Sequence, residues 1–134
     1  RCRTEFRLMK QKEITKIVNK VYPLISADYA SKRFAEVEYH YNIYERLSGE
    51  KGMTGEVCAH AEYDWGRIVI YLYTSRMFSE EDIIRSLIHE CVHSTQSKKL
   101  FDAYYLCGET YETHPYEIEA RDAEENWKTY KIEK

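Results

Sequence analysis

The sequence predicts an α+β fold with an N-terminal helix, a small three-stranded sheet and two further helices. Three patterns support it: a helical repeat of apolar residues near the N-terminus, short runs rich in tyrosine, valine and isoleucine in the middle, and two helical repeats in the second half. The 134 residues suffice to bury a core without disulfides, and we expect a single domain over residues 1–134.

The N-terminal helix is predicted over residues 4–21. Apolar residues recur there at helical spacing, and Pro23 marks the expected end, because a proline disfavours helical geometry in the residue before it. Residues 24–32 fit either a loop or a short second helix. We assign no chemistry to the lysines, which form the solvated side of the first helix.

The first strand is predicted over residues 36–44, where Val37 and Tyr39 begin an alternation of apolar and polar residues. His40 falls on the polar side, which favours a solvated histidine over a metal ligand. Residues 48–55 have the composition of a loop.

Two more strands are predicted over residues 56–63 and 67–73, joined as a hairpin at Asp64-Trp65-Gly66. The second of these runs is apolar on both faces, which indicates an interior strand. His60 lies on the polar side of the first run and is again expected to be solvated. The sheet as a whole is expected to be mostly antiparallel.

A central helix is predicted to begin after Ser79. Ser79 suits the N-cap, Asp82 stands where a capping box places its second residue, and Phe78 and Ile83 occupy the positions of a hydrophobic staple. Apolar residues then form a wide stripe of helical period, which predicts that the helix is buried: Ile83, Ile84, Leu87, Ile88, Cys91 and Val92.

This helix contains the motif His89-Glu90-Cys91-Val92-His93. Residues four apart lie on one side of a helix, so both imidazoles can bind one metal ion while Glu90 lies beside its open position. Two histidines and a glutamate on a buried helix would be costly without a partner such as a metal ion. The pattern therefore predicts a zinc hydrolase site, in which Glu90 is the general base.

A last helix is predicted from His114-Pro115 to about residue 130, because proline suits the first helical position. Catalytic zinc usually takes three protein ligands, and the third is expected from this helix. Glu117 and Glu119 are both candidates. They lie about 200° apart around a helix, so only one can face the metal, and the helix phase does not decide between them.

His-Glu-Cys-Val-His followed by His-Pro-Tyr-Glu-Ile-Glu-Ala resembles the small zincins of the gluzincin type, minimal metallopeptidase domains encoded by phages, prophages and bacteria. The resemblance covers about residues 68–130. It implies a zincin-like fold with one Zn²⁺ per chain, held by His89, His93 and Glu117, because Ala120 follows Glu117 as in the family's E-x-x-A. Glu119 is the alternative ligand.

The resemblance also implies a peptide or protein substrate, bound as an added strand along a sheet edge that the sequence does not identify. Many members carry Asn or Asp directly after the alanine, to orient a ligand histidine, where this chain has Arg121. His114 is a weaker candidate for the third ligand. With Tyr111 and Tyr116, it is a candidate donor to the transition state.

The expected function is peptide hydrolysis by a zinc-activated water. The alternatives are a binding or phage-assembly module with a structural or absent metal. The net charge of −3 and the lack of a basic patch argue against a nucleic-acid partner, and no apolar run approaches membrane-spanning length. Without C-x-x-C spacing, the cysteines are expected to be free thiols of a cytoplasmic protein: Cys2, Cys58, Cys91 and Cys107.

Overall fold

A computed structural model describes residues 8–29, 35–49 and 61–132, which form five α-helices and a three-stranded mixed sheet. The predicted α+β class is therefore confirmed. The elements in chain order are α1 (Gln11–Asp28), β1 (Glu36–His40), α2 (Ile43–Ser48), β2 (Ala61–Asp64), β3 (Val69–Tyr73), α3 (Glu80–Ser94), α4 (Lys98–Leu106) and α5 (Pro115–Ala123). Short 3-10 helices, Thr74–Arg76 and Glu124–Tyr130, follow β3 and α5.

Helix α1 begins later and ends later than predicted. Lys10 has extended backbone geometry, and the Met9 amide donates to the Met77 carbonyl at 3.1 Å, so the helix starts only at Gln11. It then continues through Pro23. A proline inside a helix costs about 3 kcal/mol, but burying Tyr22 and Ile25 stabilises this turn by about 1.5–3 kcal/mol each. Residues 24–28 therefore belong to α1, and residues 4–7 and 30–34 lie outside the described ranges.

Strand β1 is shorter than predicted, ending at His40. Asn42 caps a new helix, α2, by accepting a hydrogen bond from the Glu45 amide at 2.8 Å, and Gly49 ends that helix in left-handed geometry with φ +76°. The apolar alternation predicted a strand to residue 44, but its last residues belong to the cap and first turn of α2. Ser48 closes α2, and residues 50–55 of the predicted loop lie outside the described ranges.

The sheet is mixed, which corrects the prediction of a mostly antiparallel one. Strand β3 lies in the middle, with β2 antiparallel on one side and β1 parallel on the other. The interior position predicted for β3 is confirmed, because all five of its residues are buried. Ile70 and Leu72 face the main core, and the opposite side packs against Ile43 of α2.

The predicted hairpin is present, with β2 starting at Ala61 and β3 at Val69; residues 56–60, including His60, lie outside the described ranges. The turn takes four residues, 65–68, because Ile68 has φ +57° and cannot begin the strand. Left-handed geometry is rare for a β-branched residue. Packing of the Ile68 side chain against the main core holds it there.

Helix α3 confirms the prediction of a buried helix that begins after Ser79, and it lies in the middle of the molecule. Ser79 accepts a hydrogen bond from the Asp82 amide, and Asp82 accepts one from the Phe78 amide at 2.9 Å. The helix packs against α1, β2, α5 and the 3-10 helix Glu124–Tyr130. Its apolar stripe is almost fully buried, so α3 is fixed on several sides at once.

Two features of the C-terminal third differ from expectation. Helix α4 was not predicted; it is capped by Ser97, and none of its residues is fully buried. The last predicted helix is α-helical only to Ala123 and continues as the 3-10 helix Glu124–Tyr130. Tyr130, at the end of this 3-10 helix, is buried, and its hydroxyl donates to Asp28 at 2.7 Å.

Candidate metal centre

The motif residues lie where α3 meets α5. His89, Glu90 and His93 are 8%, 5% and 6% exposed, and each offers one ligand-type atom within 4.8 Å of the other two. Helix α5 packs across this part of α3 and brings in Glu117, which is also buried. The described chain therefore contains a buried group that could hold a metal ion.

The Glu117 carboxylate lies between the two imidazoles. Its Oε1 atom is 3.2 Å from His89 Nε2 and 3.0 Å from His93 Nε2. Zinc bonds of 2.0–2.1 Å at tetrahedral angles place ligand atoms about 3.3 Å apart, close to these separations. Two imidazoles and one carboxylate are also a donor set typical of catalytic zinc, so these residues fit the ion.

The histidines and carboxylates of this centre shift one another's pKa values. Burial lowers the pKa of His89, but hydrogen bonds with Glu117 and Glu124 outweigh it and hold the pKa above its usual value. Burial raises the pKa of Glu117, whereas hydrogen bonds from His89 and His93 outweigh it and hold the pKa well below the usual range. A metal ion would compete with protons for the same atoms.

Glu90 has a different environment from Glu117. Burial raises its pKa to about 7, against the opposing influence of His89 and His93. A carboxyl group with a pKa near neutrality suits proton transfer better than one that is permanently ionised.

Each of the three predicted ligands has a second partner. His89 Nδ1 lies 2.6 Å from Glu124 Oε2, and His93 Nδ1 lies 2.7 Å from Gln96 Oε1. If each Nδ1 donates its proton to the neighbouring oxygen, both Nε2 atoms are left to bind a metal. The second oxygen of Glu117, Oε2, accepts a hydrogen bond from the Tyr105 hydroxyl at 3.1 Å.

Glu119 points away from the imidazoles. It accepts a hydrogen bond from Gln96 Nε2 at 2.7 Å, and the same Gln96 side chain contacts His93 through its oxygen. Among the described contacts, Glu119 is linked to the centre through Gln96 alone. The ligand role of Glu117 stays a prediction, and the geometry gives Glu119 no direct route to the same position.

His114 uses both ring nitrogens elsewhere. Nδ1 accepts a hydrogen bond from the Tyr116 amide at 3.0 Å, which caps α5, and Nε2 donates to the Phe101 carbonyl at 2.9 Å. The fully buried ring is therefore neither placed as a ligand nor free as a donor. Tyr116 packs on Tyr104 and His114, away from the cleft, whereas Tyr111 lines it.

Arg121 does not orient a histidine. Its guanidinium lies 4.7 Å from the centre of the Tyr111 ring and donates to the carbonyls of Tyr111 and Glu112 at 2.7 and 3.0 Å. The partner of His89 is instead Glu124, which sequence reasoning missed. Glu124 follows Glu117 by seven residues, a spacing that returns to the same side of a helix and could have indicated it.

An open cleft of about 660 Å³ leads to this centre. Strand β2 borders it with Ala61, Glu62 and Tyr63. Among the described strands, β2 has a neighbour on one side only, and it is the sheet edge next to α3. Trp65 and Phe101 form an aromatic wall, with ring centres 5.8 Å apart, and Phe101 lies edge-on to His93.

Three further predictions concern His40, the cysteines and membrane-spanning helices. His40 lies on the outer side of the sheet, 3.2 Å from Glu38, away from the candidate centre. Cys91 and Cys107 are free thiols, as expected for these two positions. No helix in the described part of the chain has the length and apolar character needed to cross a membrane.

Comparisons of the chain with protein-family models, with curated proteins and with solved structures found no match.

Proposed function

We propose that this protein is a zinc-dependent peptidase of the gluzincin type. The observation that carries the proposal is the position of Glu117 Oε1, within 3.2 Å of the Nε2 atoms of both motif histidines. The family resemblance favours Glu117 over Glu119 as the third ligand. The contacts of Glu117 with both histidines, which result from the packing of α5 on α3, support the same assignment. Glu90, buried beside the two histidines, supplies the group that a hydrolase needs in addition to its metal ligands.

The reaction we infer is peptide hydrolysis. A bound zinc ion would lower the pKa of a water molecule and polarise the scissile carbonyl. Glu90 accepts the proton of the attacking water and delivers it to the leaving amine. Glu124 and Gln96 hold the two imidazoles through their Nδ1 atoms, so that the Nε2 atoms keep a fixed direction.

The substrate we infer is an extended peptide lying along β2. That strand is the edge that borders the cleft, and an added strand would pair with its backbone while side chains enter the cleft alternately. Trp65 and Phe101 are placed to contact one of those side chains. Tyr111, held by Arg121 at the cleft, is the best placed of the three predicted transition-state donors.

The experiment is digestion of a mixed peptide library by the full chain loaded with zinc, with cleavage detected by mass spectrometry. Removing zinc with a chelator should abolish cleavage, and adding zinc back should restore it. Glu90→Gln should keep the fold and the metal yet reduce turnover by at least about 100-fold, since general base catalysis contributes roughly that much.

Undiminished turnover in Glu90→Gln would remove Glu90 as the base. Bound zinc with no cleavage of any peptide would instead favour a recognition module in which the metal is structural.

A further inference from the structure

The two oxygens of Glu117 have different surroundings. Oε1 faces the two histidine Nε2 atoms at 3.2 and 3.0 Å, whereas Oε2 faces α4 and accepts the hydrogen bond of the Tyr105 hydroxyl at 3.1 Å. A neutral phenol can donate only one hydrogen bond, and here the carboxylate receives it. The carboxylate is therefore held with one oxygen toward the centre and the other turned away.

The Tyr105 ring is itself held in place. Its centre lies 4.5 Å from that of the His114 ring and 5.4 Å from that of Phe101. His114 is fully buried, and its two nitrogens are bonded to the backbone of Tyr116 and Phe101. His114 thus forms a rigid platform that links α4 to the start of α5, and Tyr105 lies on it.

The orientation of Glu117 matters because a carboxylate can bind zinc through one oxygen or through both. A catalytic zinc site combines three protein ligand atoms with one position for water. Binding through both oxygens would add a fourth protein atom and compete with the water. A hydrogen bond to the second oxygen favours binding through one, since it occupies a lone pair of Oε2, draws charge from that oxygen and makes it a weaker ligand than Oε1.

We propose that Tyr105 is a positioning residue that makes Glu117 bind the metal through Oε1 alone, and so keeps one coordination position open for water. The inference rests on the proposed zinc site but not on peptidase activity. It also assigns a role to the rings that meet between α4 and the start of α5: Phe101 and His114 hold Tyr105, and Tyr105 holds the second oxygen of Glu117.

The test compares the zinc-loaded full chain with Tyr105→Phe, which removes only the hydroxyl. The matched control is Tyr104→Phe, because Tyr104 contacts the same His114 ring but has no bond to Glu117 among the described contacts. Crystal structures of the three zinc complexes give the zinc–oxygen distances directly. Zinc K-edge X-ray absorption gives the number of bound atoms in solution.

In wild type and Tyr104→Phe we expect zinc to contact Oε1 alone, at about 2.0–2.2 Å, with Oε2 still bonded to the phenol of Tyr105. In Tyr105→Phe we expect both oxygens within bonding distance and a higher count of bound atoms. One-oxygen binding that persists in Tyr105→Phe would overturn the proposal, as would a zinc–Oε2 bond in wild type.

The outcomes separate this inference from the proposed function. Zinc bound as described in a protein that cleaves no peptide supports the role of Tyr105 and contradicts the peptidase. A wild-type chain that binds no zinc contradicts both. Should Tyr105→Phe not fold, the wild-type zinc complex still decides, because zinc contact with Oε2 there overturns the proposal and its absence beside an intact Tyr105 bond supports it.

Discussion

Glu117 and Glu119 stand two residues apart on α5, and only Glu117 reaches the imidazoles of α3. The Glu117 carboxylate contacts both Nε2 atoms, whereas Glu119 bonds to Gln96. Glu117→Gln should weaken zinc binding sharply, because a charged ligand is lost between two buried histidines. Glu119→Gln should weaken it at most about 10-fold through Gln96. Competition with a chromogenic zinc chelator measures both affinities.

The opposite order of affinities, with zinc lost in Glu119→Gln and retained in Glu117→Gln, would show that the assignment of the third ligand is wrong.

Glu124 contacts the proposed metal site through His89. Its carboxylate lies 2.6 Å from His89 Nδ1 and is also near Arg85, at 3.7 Å. Glu124→Gln should lower zinc affinity by about 10–100-fold, the usual effect of losing a carboxylate that orients a ligand histidine. The control is Glu125→Gln, because Glu125 is 76% exposed at its side chain and contacts Arg85 without touching His89. Equal zinc affinities in the two variants would refute the role given to Glu124.

The sequence predicted that the side chains of His89, Glu90 and His93 lie together, for a physical reason. His89, Glu90 and His93 lie in one helix, so their geometry follows from helical spacing alone. Among the described partners, Gln96 follows His93 by three residues, but the others come from other elements, and their positions depend on how α5 and α4 pack on α3. Tyr105 was missed for that reason, Glu124 was missed despite its seven-residue spacing from Glu117, and the choice between Glu117 and Glu119 needed a family resemblance.

At the scale of elements, α3 is the segment on which fold and site both depend. One side of it holds the core and the other holds the motif, so loss of core packing should destabilise the whole chain. Leu87→Ala at a fully buried position should lower the free energy of unfolding by about 2–5 kcal/mol. Leu106→Ala, at a position 87% exposed, should change it by at most about 0.5 kcal/mol. Urea unfolding measured under identical conditions compares the two.

If Leu87→Ala lowered the free energy of unfolding as little as Leu106→Ala, the central role of α3 in the core would be contradicted.

The elements that were predicted wrongly from the sequence are those whose structure depends on long-range packing. Strand β1 pairs in parallel with β3, a contact between segments about 30 residues apart that no local pattern specifies. Helix α4 has no fully buried residue, so its apolar pattern is weak, and its tyrosines are also typical of strands. Helix α3 was predicted correctly because its cap, acidic first turn and apolar stripe all agree.

At the scale of the whole molecule, α3 is packed between the sheet, α1 and α5. The cleft beside β2 opens onto the motif residues of α3. The proposed function requires that His89, His93 and Glu117 together bind zinc. Zinc that binds only the folded chain would also raise its stability in proportion to the logarithm of the zinc concentration.

The most direct measurement is the zinc content of the full chain, purified without chelator and again after dialysis against zinc. Elemental analysis by mass spectrometry should find about one zinc per chain, and a His89→Ala, His93→Ala double variant analysed in parallel should bind much less. A wild-type chain that carries no zinc and takes none up, or a double variant that binds as much zinc as wild type, would contradict zinc binding by His89, His93 and Glu117.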